Sequence, residues 1–182
     1  GDSGQADLID LATRKSARLV SLGEDPEMFD ISADGKTLYV TNEENSELGI
    51  VDLASGKRTS TIKVGGEPEG VKISADGKTV FVTSEVANVV HAVDLASGKV
   101  AANIKAGKRP RRFALTPDGA QLWVTNELDA SVTVIDTAKR SALGTINFEV
   151  KGARKADITP VGIVMNREGT RAFVSLGKAN HV

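Results

Sequence analysis

The stretch from Pro68 to Gly107, PEGVKISADGKTVFVTSEVANVVHAVDLASGKVAANIKAG, contains features that recur along the whole chain. A proline, an Asp-Gly pair, an aromatic residue and an aspartate each return after 42 residues, and a last proline, a Glu-Gly pair and an aromatic residue follow 50 residues on, after an insertion. A period of roughly 40–50 residues is typical of proteins in which one small structural unit repeats and packs against its neighbours. The recurring positions are Pro26, Pro68, Pro110 and Pro160; Gly35, Gly77, Gly119 and Gly169; Tyr39, Phe81, Trp123 and Phe173; and Asp10, Asp52, Asp94 and Asp136.

Within one unit, short runs of alternating or continuous apolar residues are separated by turn residues, which predicts strands. In the quoted stretch the first strand contains Val71 and Ile73, and a tight turn at Asp76-Gly77 leads to the second strand, Thr79–Thr83. Two further strands follow, Val89–Asp94 and Val100–Ala106. Four antiparallel strands in about 42 residues are the blade of a β-propeller. The predicted fold class is therefore all-β, a propeller of four-stranded antiparallel blades.

The repeat boundaries divide the chain into about four blades. Residues 1–25 supply the third and fourth strands of one blade, residues 26–67, 68–109 and 110–159 form full blades, and residues 160–182 supply the first two strands of another. The two terminal halves are complementary and could close a four-bladed ring. We expect instead a segment of a larger, seven-bladed propeller, from a processed or partial chain. Open blade edges would permit self-association, for example of two copies into an eight-bladed ring.

Composition excludes several classes of protein. The net charge of −1 gives no support for a nucleic-acid partner, which requires a basic face. No apolar run is long enough to predict a membrane span. The absence of cysteine excludes disulfides, thiolate zinc sites, covalently attached c-type haem and thiol catalysis.

The second strand of each unit carries a recognisable signature. Tyr39–Asn42 reads YVTN, and the same slot reads FVTS at Phe81–Ser84 and WVTN at Trp123–Asn126. The chain thereby resembles the YVTN family of bacterial and archaeal β-propellers. A finer similarity, to propellers associated with pyrroloquinoline-quinone-dependent alcohol catabolism, rests on the segments Asp25–Phe29, Glu67–Gly70, Arg109–Phe113 and the insertion Phe148–Gly162.

This resemblance implies a seven-bladed propeller that is periplasmic or secreted. It also implies a protein partner, such as a quinoprotein dehydrogenase or its electron acceptor. The family has no established catalytic residues to carry over, and we expect no cofactor.

The candidate site lies on the loops between blades and between the second and third strands, which share one rim around a propeller axis. Arg109, Arg111 and Arg112 could clamp a carboxylate or phosphate, because a guanidinium suits bidentate contact. Glu27 and Glu69 could complete this site or hold a calcium ion. The alternative is that these charges pair with one another across neighbouring blades. Further charges at the rim are Lys108, Arg154, Lys155, Glu43, Glu85 and Glu127.

Other conspicuous residues have structural interpretations. The repeated aspartates Asp52, Asp94 and Asp136 precede turns, where aspartate commonly accepts hydrogen bonds from the local backbone. The repeated aromatic residues are expected in the core between blades. His91 and His181 are too few for a catalytic metal site without carboxylate help.

The favoured function is therefore a non-catalytic, periplasmic or secreted scaffold that binds a ligand or a protein and accompanies a quinoprotein alcohol-oxidation system. One alternative is a propeller hydrolase of the lactonase type, with an axial metal held by Glu27, Glu69 or their neighbours. A third hypothesis is a structural repeat protein of the cell surface.

Overall fold

The computed structural model describes residues 4–182 as an all-β arc of sixteen strands in five antiparallel sheets. The N-terminal half-blade contains β1 (Gly4–Asp10) and β2 (Lys15–Gly23). Blade 1 contains β3 (Pro26–Ile31), β4 (Thr37–Asn42), β5 (Glu47–Asp52) and β6 (Lys57–Lys63). Blade 2 contains β7 (Pro68–Ile73), β8 (Thr79–Ser84), β9 (Val89–Asp94) and β10 (Lys99–Lys105). Blade 3 contains β11 (Pro110–Leu115), β12 (Gln121–Asn126), β13 (Ser131–Asp136) and β14 (Ser141–Asn147), and the C-terminal half-blade contains β15 (Pro160–Met165) and β16 (Ala172–Leu176).

In every full blade the four strands lie in sequence order, and the first strands of successive blades lie next to one another. This arrangement confirms the predicted four-stranded propeller blades. The two half-blades are separate two-stranded sheets, so the described residues do not form a closed four-bladed ring. The prediction of self-association through these edges stays a prediction. Two short 3₁₀ helices, Glu127–Asp129 and Lys155–Asp157, complete the elements, and the described chain has no helix of the length and apolar character that crosses a membrane.

Side-chain hydrogen bonds shape the turns that end the strands. At the turn between β7 and β8, Asp76 accepts hydrogen bonds from the hydroxyl of Ser74 (2.6 Å) and the backbone N–H of Lys78 (3.1 Å), and these bonds lower its pKa. Gly77 follows with φ of 70°, a conformation that glycine adopts without steric cost. At the next turn Asp94 accepts the backbone N–H of Ser97 at 2.8 Å. Asp52 and Asp136 accept backbone N–H groups in the same way, which confirms the structural role predicted for these aspartates.

The hydrophobic core lies between blades. Tyr39 of blade 1 belongs to one buried cluster with Val71 of blade 2, and Phe81 of blade 2 to another with Leu122 of blade 3. Trp123 is half-buried against a third cluster that includes Val174. Phe173 is 49% exposed, so the prediction of a core position was wrong for this residue. The reason is that no sheet beyond β16 covers it in the described chain.

The insertion after β14 packs on the seam between blade 3 and the C-terminal half-blade. Ile158 is buried in one cluster with Val132 and Val174, and Phe148 and Val150 pack against the same cluster. The insertion thus supplies apolar surface to this seam.

The threonine of the YVTN signature links adjacent blades. The buried hydroxyl of Thr41 accepts the N–H of Met28 in its own blade (3.2 Å) and donates to the carbonyl of Glu69 in the next (2.7 Å). Thr83 accepts from the N–H of Gly70 at 2.6 Å and donates to the carbonyl of Arg111 at 3.3 Å. The same two bonds recur at Thr125, which accepts from Arg112 and donates to the carbonyl of Val161. We call this repeated contact the threonine bridge.

Replacement of Thr83 by valine should lower the free energy of unfolding by about 1–3 kcal/mol, because the buried N–H of Gly70 would lose its acceptor. Urea unfolding followed by circular dichroism measures this loss. The matched control is Thr61→Val, which changes an exposed threonine on β6. Equal stability of the Thr83→Val and Thr61→Val proteins would show that the bridge does not stabilise the blades.

Candidate functional site

The predicted site residues lie where the first strand of each blade is irregular. The register with the second strand shifts between Pro26 and Phe29, and again at the corresponding prolines of the next two blades. Such bulges re-aim side chains. Glu27, Glu69, Arg111 and Arg112 all lie in these irregular segments, and their backbone atoms include those held by the threonine bridges.

The residue before each of the first three prolines has a left-handed backbone. Asp25, Glu67 and Arg109 have φ angles of 46°, 48° and 55°. Arg109 therefore differs in backbone conformation from Arg111 and Arg112, which lie in the strand after the proline. Its backbone N–H donates to the side chain of Asn88 in blade 2 at 2.9 Å.

The three arginines meet glutamates of the preceding blade. Arg111 approaches Glu85 at 2.6 Å and Glu69 at 3.3 Å, measured between guanidinium nitrogens and carboxylate oxygens. The Nε of Arg109 donates to Glu85 at 2.7 Å, and Arg112 is hydrogen-bonded to Glu69. Glu127 of blade 3 lies 3.5–3.6 Å from Arg109 and Arg111. These six residues form an ion-pair network across the seam between blades 2 and 3.

The two glutamates of blade 2 are the buried members of this network. Glu69 is 4% and Glu85 is 9% exposed. A buried carboxylate is stable only when cations and hydrogen bonds compensate its lost hydration. Burial raises the pKa of Glu69 and the neighbouring charge of Glu27 adds to this, while Arg112 and Arg111 act in the opposite direction. The hydrogen bond to Glu85 raises the pKa of Arg109.

The arginines keep donors that the network does not use. Within residues 4–182, no hydrogen bond or ion pair engages the two terminal nitrogens of Arg109, and the same holds for Nε and one terminal nitrogen of Arg112. The side chains of Arg109 and Arg112 are 43% and 24% exposed. The guanidinium groups are thus held by buried carboxylates, while the side chains of Arg109 and Arg112 remain partly exposed.

A second, acidic group lies at the blade 1 end of the same rim. One carboxylate oxygen from each of Asp25, Glu27 and Glu43 lies within 4.8 Å of the other two. No lysine or arginine of the described chain forms an ion pair with them. Burial raises the pKa of Glu27, a hydrogen bond and the charge of Glu43 raise it further, and a hydrogen bond with Glu69 acts in the opposite direction. Three carboxylates at this spacing could hold a cation such as calcium, which prefers oxygen ligands.

The structure therefore divides the five predicted residues between two groups. Arg109, Arg111, Arg112 and Glu69 meet in the ion-pair network, and Glu27 belongs to the acidic group and lies next to Glu69. Glu85 was expected only as a further charge at the rim, but it is a buried partner of both Arg109 and Arg111. Its 42-residue spacing from Glu43 and Glu127 was the available signal, but spacing alone does not show which of the three is buried between arginines.

Neither histidine lies in this site. His91 is 6% exposed in blade 2, where Nδ1 contacts Asn103 Oδ1 at 2.7 Å and Nε2 accepts the N–H of Gly65 at 3.1 Å. Because Nε2 accepts, Nδ1 carries the proton and the ring is neutral. His181 is exposed and contacts the carbonyl of Ala179.

Replacement of Glu27 by glutamine should stabilise the protein at pH 7 by about 1 kcal/mol, the size of one repulsion between charges about 5 Å apart in water. The folded-state pKa of Glu27 is raised, so its favourable contribution is complete below the ordinary carboxyl pKa and is lost as the pH rises through the raised value. The advantage of Glu27→Gln should therefore vanish near pH 4. Urea unfolding at several pH values measures it.

The control for this measurement is Glu44→Gln, which removes an exposed carboxylate outside the group of three. If Glu27→Gln shows the same small and pH-independent change as Glu44→Gln, the repulsion inferred at Glu27 is not present.

The chain was compared with curated protein sequences and with solved structures. No curated protein sequence matches the chain. Among solved structures, hydrazine synthase from Kuenenia stuttgartiensis is similar, with a TM-score of 0.76 and 22% sequence identity over 94% of this chain and 67% of that chain. At this identity the similarity shows the fold alone.

A match to a family model is more specific. The model is described as lactonase, 7-bladed beta-propeller, and it matches residues 67–159, which include blades 2 and 3 and the insertion. These residues contain Glu69, Glu85 and the three arginines of the ion-pair network, and they make up just over half of the chain. The chain therefore belongs to the family of lactonase-type seven-bladed β-propellers.

Proposed function

We propose that this chain is a non-catalytic propeller that binds a carboxylate-bearing ligand or an acidic protein segment at its rim. The observation that supports this function is the set of unused donors on Arg109 and Arg112, next to carboxylates that fix both guanidinium groups. A guanidinium held in one orientation loses little conformational entropy when it binds a carboxylate. The ligand classes are therefore carboxylated quinones and acidic loops of a protein partner.

The biological setting is part of the same proposal. The protein is periplasmic or secreted and accompanies a quinoprotein alcohol-oxidation system, with a quinoprotein dehydrogenase or its electron acceptor as partner. The support is the similarity of the segments Asp25–Phe29, Glu67–Gly70 and Arg109–Phe113 to propellers of that setting. A rim that carries charge also suits an encounter with a protein of opposite charge.

Replacement of Arg109 by alanine should weaken binding of pyrroloquinoline quinone, a carboxylated quinone, by about 10- to 100-fold, the loss expected for one hydrogen bond between charged groups. Isothermal titration calorimetry measures the affinity. Arg109 is the appropriate choice because Glu85 would still be paired with Arg111, so the melting temperature should change little. Arg154→Ala is the control, since Arg154 is highly exposed and pairs with Asp157 in the insertion.

Unchanged affinity of the Arg109→Ala protein would contradict the proposal. A large loss of melting temperature together with unchanged affinity would assign the arginine to blade packing, which is the alternative considered from the sequence.

Lactone hydrolysis is a second candidate function, favoured by the family match and by the carboxylates of Asp25, Glu27 and Glu43. A metal held there would polarise a lactone carbonyl. Under the scaffold proposal, the protein with added calcium should not hydrolyse glucono-δ-lactone faster than buffer does, as measured by pH-stat titration. Hydrolysis that is abolished by a chelator and by Glu27→Gln would instead establish the enzyme.

A further inference from the structure

A cavity of about 340 Å³ lies among the first strands of the blades. Each first strand is the inner edge of its blade, and the first strands of successive blades are neighbours, so the cavity lies at the propeller axis. Its volume is in the range of roughly 300–1,000 Å³ that is typical of small-molecule sites. We call it the axial cavity, and the lining residues that matter here are Met28, Phe29, Val71, Arg112, Phe113 and Ile163.

The walls of the axial cavity are mainly apolar and include two aromatic rings. Phe29 and Phe113 hold the same repeat position in blades 1 and 3, where the other two first strands have Val71 and Ile163. Phe29 is 49% exposed although it lies on an inner strand, and Phe113 is half-buried against the core between blades 2 and 3. Met28 adds a thioether, which makes favourable contacts with aromatic rings. These walls suit a flat aromatic group.

Arg112 joins the axial cavity to the ion-pair network, because it is the member of that network that lines the cavity. The same repeat position is Met28, Gly70 or Gly162 in the other described blades, so none of them places a charge there. Nη1 of Arg112 is bonded to Glu69, and in residues 4–182 no hydrogen bond or ion pair engages Nε or Nη2. These two nitrogens form one edge of the guanidinium, and their parallel N–H bonds match the two oxygens of a carboxylate.

The other charged groups that line the axial cavity are paired with each other. Nζ of Lys72 lies 3.1 Å from the carboxylate of Asp30, which also accepts the backbone N–H of Ile73 at 2.9 Å. Lys72 and Asp30 therefore largely cancel one another's charge. The unused edge of Arg112 is the part of the lining best suited to bind an anion.

We propose that the axial cavity binds a small planar aromatic carboxylate. Its carboxylate pairs with the unused edge of Arg112, and its ring lies against Phe29 and Phe113. This inference rests on the proposed function and narrows the ligand from any carboxylate or acidic protein segment to an aromatic acid. Contacts between aromatic rings add to the free energy gained from buried apolar area. An aliphatic acid would form the ion pair without those contacts, and an acidic protein loop would leave the apolar walls uncovered.

The test is isothermal titration calorimetry of the full chain with 2-naphthoate, octanoate and naphthalene-2-carboxamide at pH 7. 2-Naphthoate should bind about 10-fold more tightly than octanoate, which has the same charge but no ring. It should also bind about 10-fold more tightly than the carboxamide, which has the same ring but no charge to pair with Arg112.

Two variants separate the ring from the carboxylate. Phe29→Ala should weaken binding of 2-naphthoate about 10-fold and leave octanoate unchanged. Phe173→Ala is the matched control, because Phe173 is also 49% exposed and does not line the axial cavity. Arg112→Lys keeps a cation beside Glu69 but lacks the two parallel N–H bonds, so it should weaken binding of both acids about 10-fold.

Equal affinity of the wild-type protein for 2-naphthoate and octanoate would overturn this inference, and so would unchanged affinity of the Phe29→Ala protein for 2-naphthoate. If Arg109→Ala still weakened binding of pyrroloquinoline quinone in that case, the proposed function would stand without the axial cavity. A wild-type protein that binds neither pyrroloquinoline quinone nor 2-naphthoate would overturn both.

Discussion

Blade 2, blade 3 and the C-terminal half-blade are each joined to the blade before them by one threonine hydroxyl in its second strand. Thr41, Thr83 and Thr125 each satisfy an N–H in their own irregular first strand and reach a carbonyl in the next. Apolar packing between blades is non-directional, whereas a hydrogen bond to a particular carbonyl has a preferred geometry. The clusters around Tyr39 and Phe81 therefore stabilise the contact between blades, and the threonine bridge sets its register.

The geometry of the ion-pair network depends on this contact between blades. The carbonyls of Glu69 and Arg111 are the acceptors of two threonine bridges. The bridges therefore fix the backbone from which these charged side chains extend. Glu69 and Glu85 are then buried against arginines of the next blade, and the cost of their burial is offset only because several guanidinium groups converge on them. Buried carboxylates thus orient arginines whose side chains remain partly exposed.

Much of the fold could be predicted from the sequence, because the 42-residue step places turn residues and apolar runs in the same order in each unit. The location of the charges at the rim followed from the same step. The pairing of these charges could not be predicted from the step, since it depends on the bulge in each first strand and on the angle between blades. The repeat position of Phe173 predicts a core residue, but no further sheet of the described chain covers this side chain.

The left-handed backbone before Pro26, Pro68 and Pro110 affects how the rim charges are retained. The left-handed conformation is one that glycine adopts far more easily than a residue with a Cβ atom. The backbone is therefore strained at Asp25, Glu67 and Arg109. A glycine at residue 109 would relieve that strain, yet it would remove a guanidinium from the ion-pair network. At residue 109 the chain therefore keeps a charged side chain at the expense of an unfavourable backbone conformation, so the ion-pair network depends on a locally strained residue.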